Sequence, residues 1–277
     1  DKGETWTELY QGDTSSNQAY TLAIDPVFPA DLYVGTSSDT DPIMSWSDIL
    51  GEWFSGYSDG LPSRIPSSIA VDPSDSSILY TGVYSGLYKS VDWAISWQLS
   101  TTGLNNSYIN DIAIHPSNSS TAYAAVGGFH CYKTTDAGSS WTSLTDSPTS
   151  CPIVAIDLQN PSTLYLGGGT SLYKSTDEGN SWKIIKYFPV SYPSLPVYVK
   201  EIHDIWIHPN NSQIILVAIS GWPDEGGGTY RTTNGGKDWQ KTMKWSSILL
   251  VSDPNDPNTI FLGTERCGYI YKSTDNG

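Results

Sequence analysis

Short apolar runs recur along the chain, each closed by Asp or His at a turn. Examples are Ile69-Ala-Val-Asp72-Pro, Ile112-Ala-Ile-His115-Pro and Val154-Ala-Ile-Asp157. A second run follows, as in Leu79-Tyr-Thr-Gly82, Leu164-Tyr-Leu-Gly167 and Ile260-Phe-Leu-Gly263. Runs this short, bounded by Gly, Pro, Asn, Asp and Ser, predict strands. Each repeat thus predicts an inner strand a, a strand b, a strand c ending in Tyr-Lys-Ser, and an outer strand d that begins at a Trp. In strand a, the residue two before the turn Asp or His is Ala23, Ala70, Ala113 or Ala155, while Trp206 and Val251 break the pattern. A small residue is expected there if the sheets crowd together at an axis. Leu22 and Ile24, Ile69 and Val71, Ile112 and Ile114, and Ile205 and Ile207 make the opposite face apolar as well. Apolar residues on both faces fit a sheet held between two others.

Between strands c and d one segment repeats with little change. It reads Lys89-Ser-Val-Asp92-Trp-Ala-Ile-Ser-Trp97, Lys133-Thr-Thr-Asp136-Ala-Gly-Ser-Ser-Trp141 and Lys174-Ser-Thr-Asp177-Glu-Gly-Asn-Ser-Trp182. Arg231-Thr-Thr-Asn234-Gly-Gly-Lys-Asp-Trp239 follows, then the shortened Lys272-Ser-Thr-Asp275-Asn-Gly277. Asp1-Lys-Gly-Glu-Thr-Trp6 opens the chain, and Asp48 with Trp53 marks a worn copy. The seven key positions are separated by 47, 44, 44, 41, 57 and 41 residues. That period matches one four-stranded blade and predicts an all-β fold, a six-bladed β-propeller spanning 1–277 as a single domain.

Physical chemistry assigns this segment to scaffolding. Asp or Asn accepts backbone N–H groups and holds a tight turn. Gly two residues later permits positive φ, and the Trp covers the turn with apolar area. The pattern resembles the Asp-box (bacterial neuraminidase) repeat of sialidases, tandem-propeller xyloglucanases, sortilin-type receptors and photosystem assembly factors. The resemblance implies a propeller but leaves activity open, since these families share the box and differ in chemistry.

Residues 4 to 9 read as a strand d without a, b and c, and residues 247 to 273 as a, b and c without d. Joining them would close the ring and leave no open edge. Asp-x-Gly stands at both ends, however, so the chain is alternatively an excerpt of a longer array, or copies exchange strands and self-assemble. The start at Asp1 without Met or signal peptide also points to a processed or excised chain.

Lys plus Arg total 14 against 29 Asp plus Glu, for a formal charge of −15. This argues against nucleic acid or an anionic membrane as partner, and the longest aliphatic stretch, near Ile214 to Ile219, is too short to insert in a bilayer. Sequons at Asn105, Asn118 and Asn210, in a Ser/Thr-rich and Lys-poor chain, predict an extracellular or cell-surface glycoprotein. Cys131 and Cys151 are close enough in sequence to bridge neighbouring strands, which leaves Cys267 single. No CxxC, EF-hand or phosphate-loop pattern occurs, so no metal or cofactor is expected.

The boxes share a face with the a–b turns, and binding is expected on the opposite one, among the b–c and d–a loops. Three loops stand out: 54–66 with Phe54, Tyr57, Asp59 and Arg64; 187–200 with Tyr192; and 220–228 with Trp222, Asp224 and Glu225. Their aromatics and carboxylates suit a glycan or protein ligand. Asp111 and Asp204 occupy equivalent positions at the start of strand a, where paired carboxylates roughly 5–10 Å apart act as acid and base on a glycosidic bond. Their counterparts Thr21, Ser68, Ile153 and Leu249 show that the repeat does not require acidity there. A sialidase arginine triad is not supported by Arg64, Arg231 and Arg266. His115 and His208 replace the turn Asp and read as turn residues. The reading is therefore a non-catalytic binding or structural propeller, with a xyloglucanase-like glycoside hydrolase as the alternative.

Overall fold

The computed structural model describes residues 18–28, 31–47, 49–55, 58–62, 65–105, 108–128, 130–188, 201–221, 226–264 and 269–277. Among these residues every regular element is a β-strand. The expected joining of residues 4–9 to the last sheet lies outside them, as do Asp1, Trp6 and Asp48 of the boxes.

The strands divide between two compact units. The first holds three antiparallel sheets. They are β1 (Ala19–Ile24), β2 (Leu32–Thr36), β3 (Ile43–Ser47) and β4 (Glu52–Phe54); β5 (Pro66–Val71), β6 (Leu79–Val83), β7 (Gly86–Ser90) and β8 (Gln98–Leu99); and β9 (Ile109–Ile114), β10 (Ala122–Val126), β11 (Cys131–Thr134) and β12 (Thr142–Ser143). The second unit holds β13 (Ile153–Ile156), β14 (Leu164–Gly168), β15 (Ser171–Ser175) and β16 (Lys183–Tyr187); β17 (Ile202–Ile207), β18 (Ile215–Ile219), β19 (Gly228–Thr232) and β20 (Gln240–Met243); and the three-stranded β21 (Ser247–Ser252), β22 (Ile260–Thr264) and β23 (Ile270–Ser273). Within each unit the first strands of successive sheets pack together, β1 on β5 on β9, and β13 on β17 on β21.

The tightest approach falls on strand b, not on the alanines of strand a, which are half-buried. A Cβ built on Gly35, Gly82 or Gly167 would lie 2.8 Å from Pro66 Cβ, 2.7 Å from Ile109 Cβ or 2.8 Å from Ile202 Cβ. The Gly of Leu-Tyr-x-Gly is therefore where the next sheet's inner strand comes closest.

The box turns share one geometry. Thr134 Oγ1 donates to Asp136 at 2.7 Å and accepts the Gly138 N–H at 2.9 Å, while Asp136 accepts the Ser140 N–H at 2.9 Å and its hydroxyl at 2.6 Å. Ser175, Asp177, Gly179 and Ser181 repeat this arrangement. Two consecutive residues then take positive φ: Ala137 and Gly138, Glu178 and Gly179, Gly235 and Gly236, and Trp93 and Ala94. The first position tolerates a side chain, which the glycine pattern did not foretell. Trp97 and Trp141 are buried, and Trp53, Trp182 and Trp239 half-buried. Trp141 meets Tyr80 of the preceding sheet edge-on at 6.1 Å, and its indole N–H donates to Ser100 Oγ at 3.1 Å.

The outer strands are also clasped from sheet to sheet. The Trp97 N–H donates to the Asp59 carbonyl at 2.7 Å, and the Trp141 N–H to the Thr102 carbonyl at 2.8 Å. The following Gly60 and Gly103 lie so close to these tryptophans that a Cβ would strike their carbonyls. Asp-Gly-Leu and Thr-Gly-Leu were the signals for this clasp. Asp59 is thus held by its backbone against a box strand, rather than standing in an open loop.

At the a–b turns, Asp25 and Asp157 accept N–H groups of their own turns and a hydroxyl from the next sheet. Ser76 donates to Asp25 at 2.5 Å and Ser212 to Asp157 at 2.7 Å. Between the second and third sheets, Ser74 and Ser119 hydroxyls meet at 3.2 Å, with Ser74 also donating to Asp72. His115 and His208 serve as turn residues, their Nδ1 atoms accepting the N–H of Ser117 and Asn210.

The expected Cys131–Cys151 disulfide is not formed. Cys131 is buried in β11 opposite Ala125, and its thiol donates to the Tyr132 carbonyl at 3.8 Å. Cys151 is buried ahead of β13, at the inner strand of a different sheet.

Candidate functional site

Inner strands run toward the box turns, so their starts and the b–c loops gather on the other face. In the first unit these segments enclose a cleft of about 670 Å³. Tyr20 near the start of β1, Ser37, Ser38 and Asp39 after β2, Ile65, Pro66 and Ser67 at the start of β5, Tyr84 in the β6–β7 turn and Tyr108 before β9 line it. The tyrosines are 52%, 68% and 44% exposed, enough to leave ring faces open to a ligand.

The walls are held in place locally. Tyr84 and Tyr108 pack at 6.1 Å with their planes 67° apart. The Gly127 N–H donates to the Tyr108 carbonyl at 2.8 Å, and a Cβ on Gly127 would lie 2.6 Å from the Tyr108 ring. Only glycine leaves room for that ring to come so close to residue 127. Tyr20 O–H donates to Gln18 Oε1 at 3.3 Å, and Gln18 N–H to Ser37 Oγ at 2.8 Å. Ser38 Oγ accepts the N–H groups of Thr40 and Asp41 at 3.3 and 3.1 Å, which folds the loop into a compact turn carrying Asp39. The Ser67 hydroxyl is committed to the carbonyls of Gly82 and Ile109 at 3.0 and 2.5 Å.

Among the described lining residues there is no Lys, Arg or His, and Asp39 is the one carboxylate. The wall offers aromatic area and hydrogen-bonding groups but no cation to hold an anion. No cluster of His, Cys, Asp or Glu suited to a metal occurs among the described residues.

Tyr57, Tyr192, Trp222, Asp224, Glu225, Arg64 and Arg266 lie outside the described residues. Asp111 sits in β9 opposite Ala125 in the first unit, and Asp204 belongs to β17 in the second. Asp204 Oδ2 accepts the Leu250 N–H at 2.6 Å, so this carboxylate is occupied by the backbone of β21. The cleft tyrosines were not singled out in the sequence. The available signal was Tyr84 in a two-residue hairpin turn, where a large aromatic has no core to enter.

The box acids have shifted acidities. Hydrogen bonds from the Ser140 side chain and backbone hold Asp136 down to about 2 from an ordinary 3.8, and the Ser181 and Ser175 hydroxyls do the same for Asp177. These are hydrogen-bonded turns rather than poised acids or bases. Of the sequon residues, Asn105, Asn118 and Asn210 are all exposed, and Asn118 Nδ2 donates to Thr121 Oγ1 at 3.1 Å.

No protein-family model matches the chain, and no curated protein matches it. Solved structures do. A GH74 enzyme of Niastella koreensis is similar at 20% identity over 94% of this chain and 45% of its own, with TM-score 0.71. The extracellular domain of BT4673 from B. thetaiotaomicron matches at 16% over 96% and 34%, TM-score 0.70. YCF48 bound to D1 peptide matches at 14% over 99% and 84%, TM-score 0.68. The chain thus spans less than half the length of the first two. Identities this low establish the fold alone, a β-propeller, and the chain's own six antiparallel sheets make it an all-β six-bladed one. Enzymes and binding domains both occur among these neighbours.

Proposed function

We propose that the chain is an extracellular, non-catalytic binding propeller that holds a neutral glycan across the Tyr20–Tyr84–Tyr108 cleft. The observation that carries this reading is the exposure of the three rings around one cleft without a lining cation. Tyrosine offers a flat apolar face for a pyranose ring together with a hydroxyl for its edge, and it loses little entropy on binding. The absence of Lys and Arg among the described lining residues disfavours sialosides and phosphorylated ligands, which call for forked cationic donors. The exposed sequons and the likeness to an extracellular domain support a location outside the cell.

Titration calorimetry with neutral oligosaccharides, sialosides and unmodified peptides tests the reading. Binding of a neutral oligosaccharide that Tyr84→Ala weakens roughly tenfold is the expected result. Binding confined to peptides would assign the cleft to a protein ligand instead, as YCF48 carries D1 peptide.

A second reading, a glycoside hydrolase, is favoured by the likeness to GH74 enzymes, including a xyloglucanase from Xanthomonas campestris. Against it stand the single carboxylate among the described cleft residues and the backbone bond of Asp204. Reducing-sugar release from xyloglucan or β-glucan, abolished by Asp204→Asn, would establish turnover.

A further inference from the structure

We propose that the box-turn end of the first two sheets is a self-association surface, on which a second copy of this chain docks through an apolar patch away from the tyrosine cleft. The proposal is independent of the glycan reading.

Three turns at this end build the patch. Val27 and Phe28 follow Asp25 in the β1–β2 turn, Ile49 and Leu50 stand in the β3–β4 turn, and Val91, Trp93 and Ile95 alternate along the β7–β8 turn. Hydrogen bonds tie the first and last of these together. Asp25 Oδ1 accepts the N–H groups of Val27 and Phe28 at 2.9 and 3.0 Å and the Ser76 hydroxyl at 2.5 Å. The Trp93 N–H donates to the carbonyl of the adjoining Ser77 at 3.2 Å. These seven apolar residues are between 44% and 83% exposed.

The repeat does not require apolar residues at these places. Ile49 and Trp93 directly follow the box Asp, a position held in the later boxes by Ala137, Glu178, Gly235 and Asn276. Ile95 stands where other boxes carry Ser139, Asn180 and Lys237. Val27 and Phe28 correspond to Ser74 and Asp75 in the second repeat and to Ser117 and Asn118 in the third. Trp93 also takes φ 59°, a region that disfavours a large side chain, and yet it remains 55% exposed. The turn forms equally well with Ala137 or Asn276, so the indole is accounted for by a contact beyond the chain rather than by the fold.

Size and charge identify the partner. At roughly 150–250 Å² for a full large side chain, the exposed fractions amount to about 700–800 Å². The largest apolar patch on a typical monomer is about 300–600 Å², whereas each partner of a standard interface buries roughly 800 Å². A twofold contact of the patch with itself therefore reaches the area of a stable dimer. The composition fits as well. No Lys or Arg occurs in the three turns, and interfaces between identical copies are more apolar than those between transient partners. The exposed Asp75 borders the patch, its carboxylate accepting the Ser77 N–H at 3.0 Å. A twofold contact brings such carboxylates toward their own copies, so salt should strengthen it.

Sedimentation velocity and light scattering of the full chain across a concentration series test this. A dimer is expected, tightening as sodium chloride rises from about 50 to 500 mM. Trp93→Asn, which follows the sixth box at that position, and Ile49→Ser, in a different turn, should each weaken dimerisation at least roughly tenfold with circular dichroism unchanged. Tyr187→Ser, at a similarly exposed aromatic of the fourth sheet, should leave dimerisation as it is. Should Trp93→Asn not fold, Ile49→Ser gives the same reading. A monomer at every concentration and salt level overturns the proposal. So does a dimer or polymer indifferent to both patch variants, which would assign association to open strand edges. A monomer that binds phosphatidylcholine vesicles through Trp93 would assign the patch to lipid and overturn it as well.

Discussion

Asp204 Oδ2 and the Leu250 N–H are 2.6 Å apart, and the bond joins the inner strands of two successive sheets. β21 is an edge strand whose other side pairs with β22, so this N–H points away from its own sheet and needs an acceptor. Ser67 solves the matching problem elsewhere, donating to the Ile109 carbonyl of β9 at 2.5 Å. Inner-edge backbone is thus satisfied by polar side chains of the preceding sheet. Asp204→Ala is expected to cost about 1.5–3 kcal/mol, because the N–H loses a charged acceptor. Asp204→Asn retains an oxygen and should cost less, which urea denaturation of both variants would reveal.

The box carboxylates set an acid limit on stability. Asp136 and Asp177, held near 2 by serine and threonine hydrogen bonds, bind protons less readily folded than unfolded. Their contribution is fully present above the ordinary carboxylate value near 4 and is lost as pH falls toward 2. Denaturation midpoints should decline across that window, and Ser140→Ala should shift the Asp136 titration, followed by NMR, back toward 3.8.

The two glycines of equivalent box turns differ in what surrounds them. A Cβ on Gly138 would lie under 3.0 Å from Ser100 Oγ and the Tyr80 ring, whereas one on Gly236 meets the end of Ile185 at 3.0 Å. Both have positive φ. Gly138→Ala is expected to cost about 2–4 kcal/mol and Gly236→Ala about 1–2, from backbone strain plus unequal crowding. Chemical denaturation of the pair distinguishes them.

Tyr84 is 68% exposed, so truncation sacrifices little burial. Tyr84→Ala should leave the unfolding midpoint within a degree or two while weakening glycan binding roughly tenfold. Gly127→Ala tests the same wall indirectly. It displaces the Tyr108 ring and should weaken binding with the Tyr108 hydroxyl still present.

Much of the fold could be read from the residues because its signals are local. Asp136, Gly138 and Trp141 specify a turn and its cover within six positions, and repetition multiplies that evidence. The Asp59–Trp97 clasp was harder to see, since its chemistry is backbone and its only trace is Gly60 beside Leu61. The cleft was hardest. Tyr20, Tyr84 and Tyr108 lie far apart in sequence and belong to three different sheets, so only the packing of β1, β5 and β9 brings them together. The sequence favoured long aromatic loops, whereas the described cleft is built from strand starts and short turns. Asp204 shows the converse case. An acid at a strand start looks reactive until the neighbouring strand's N–H is placed beside it.

The hydroxyl stitches at the a–b turns restrict how such an array is assembled from duplicated units. The turns carrying Asp25, Asp72 and Asp157 precede repeats with Ser76, Ser119 and Ser212 four residues past the turn, and those carrying His115 and His208 precede Pro161 and Pro257. In the Asp25–Ser76 and Asp157–Ser212 pairs, one repeat holds the acceptor and the next holds the donor. Shuffling a Pro161-type repeat behind the Asp25 repeat would bury a carboxylate with one donor fewer, so serial order, beyond mere copy number, bears on stability.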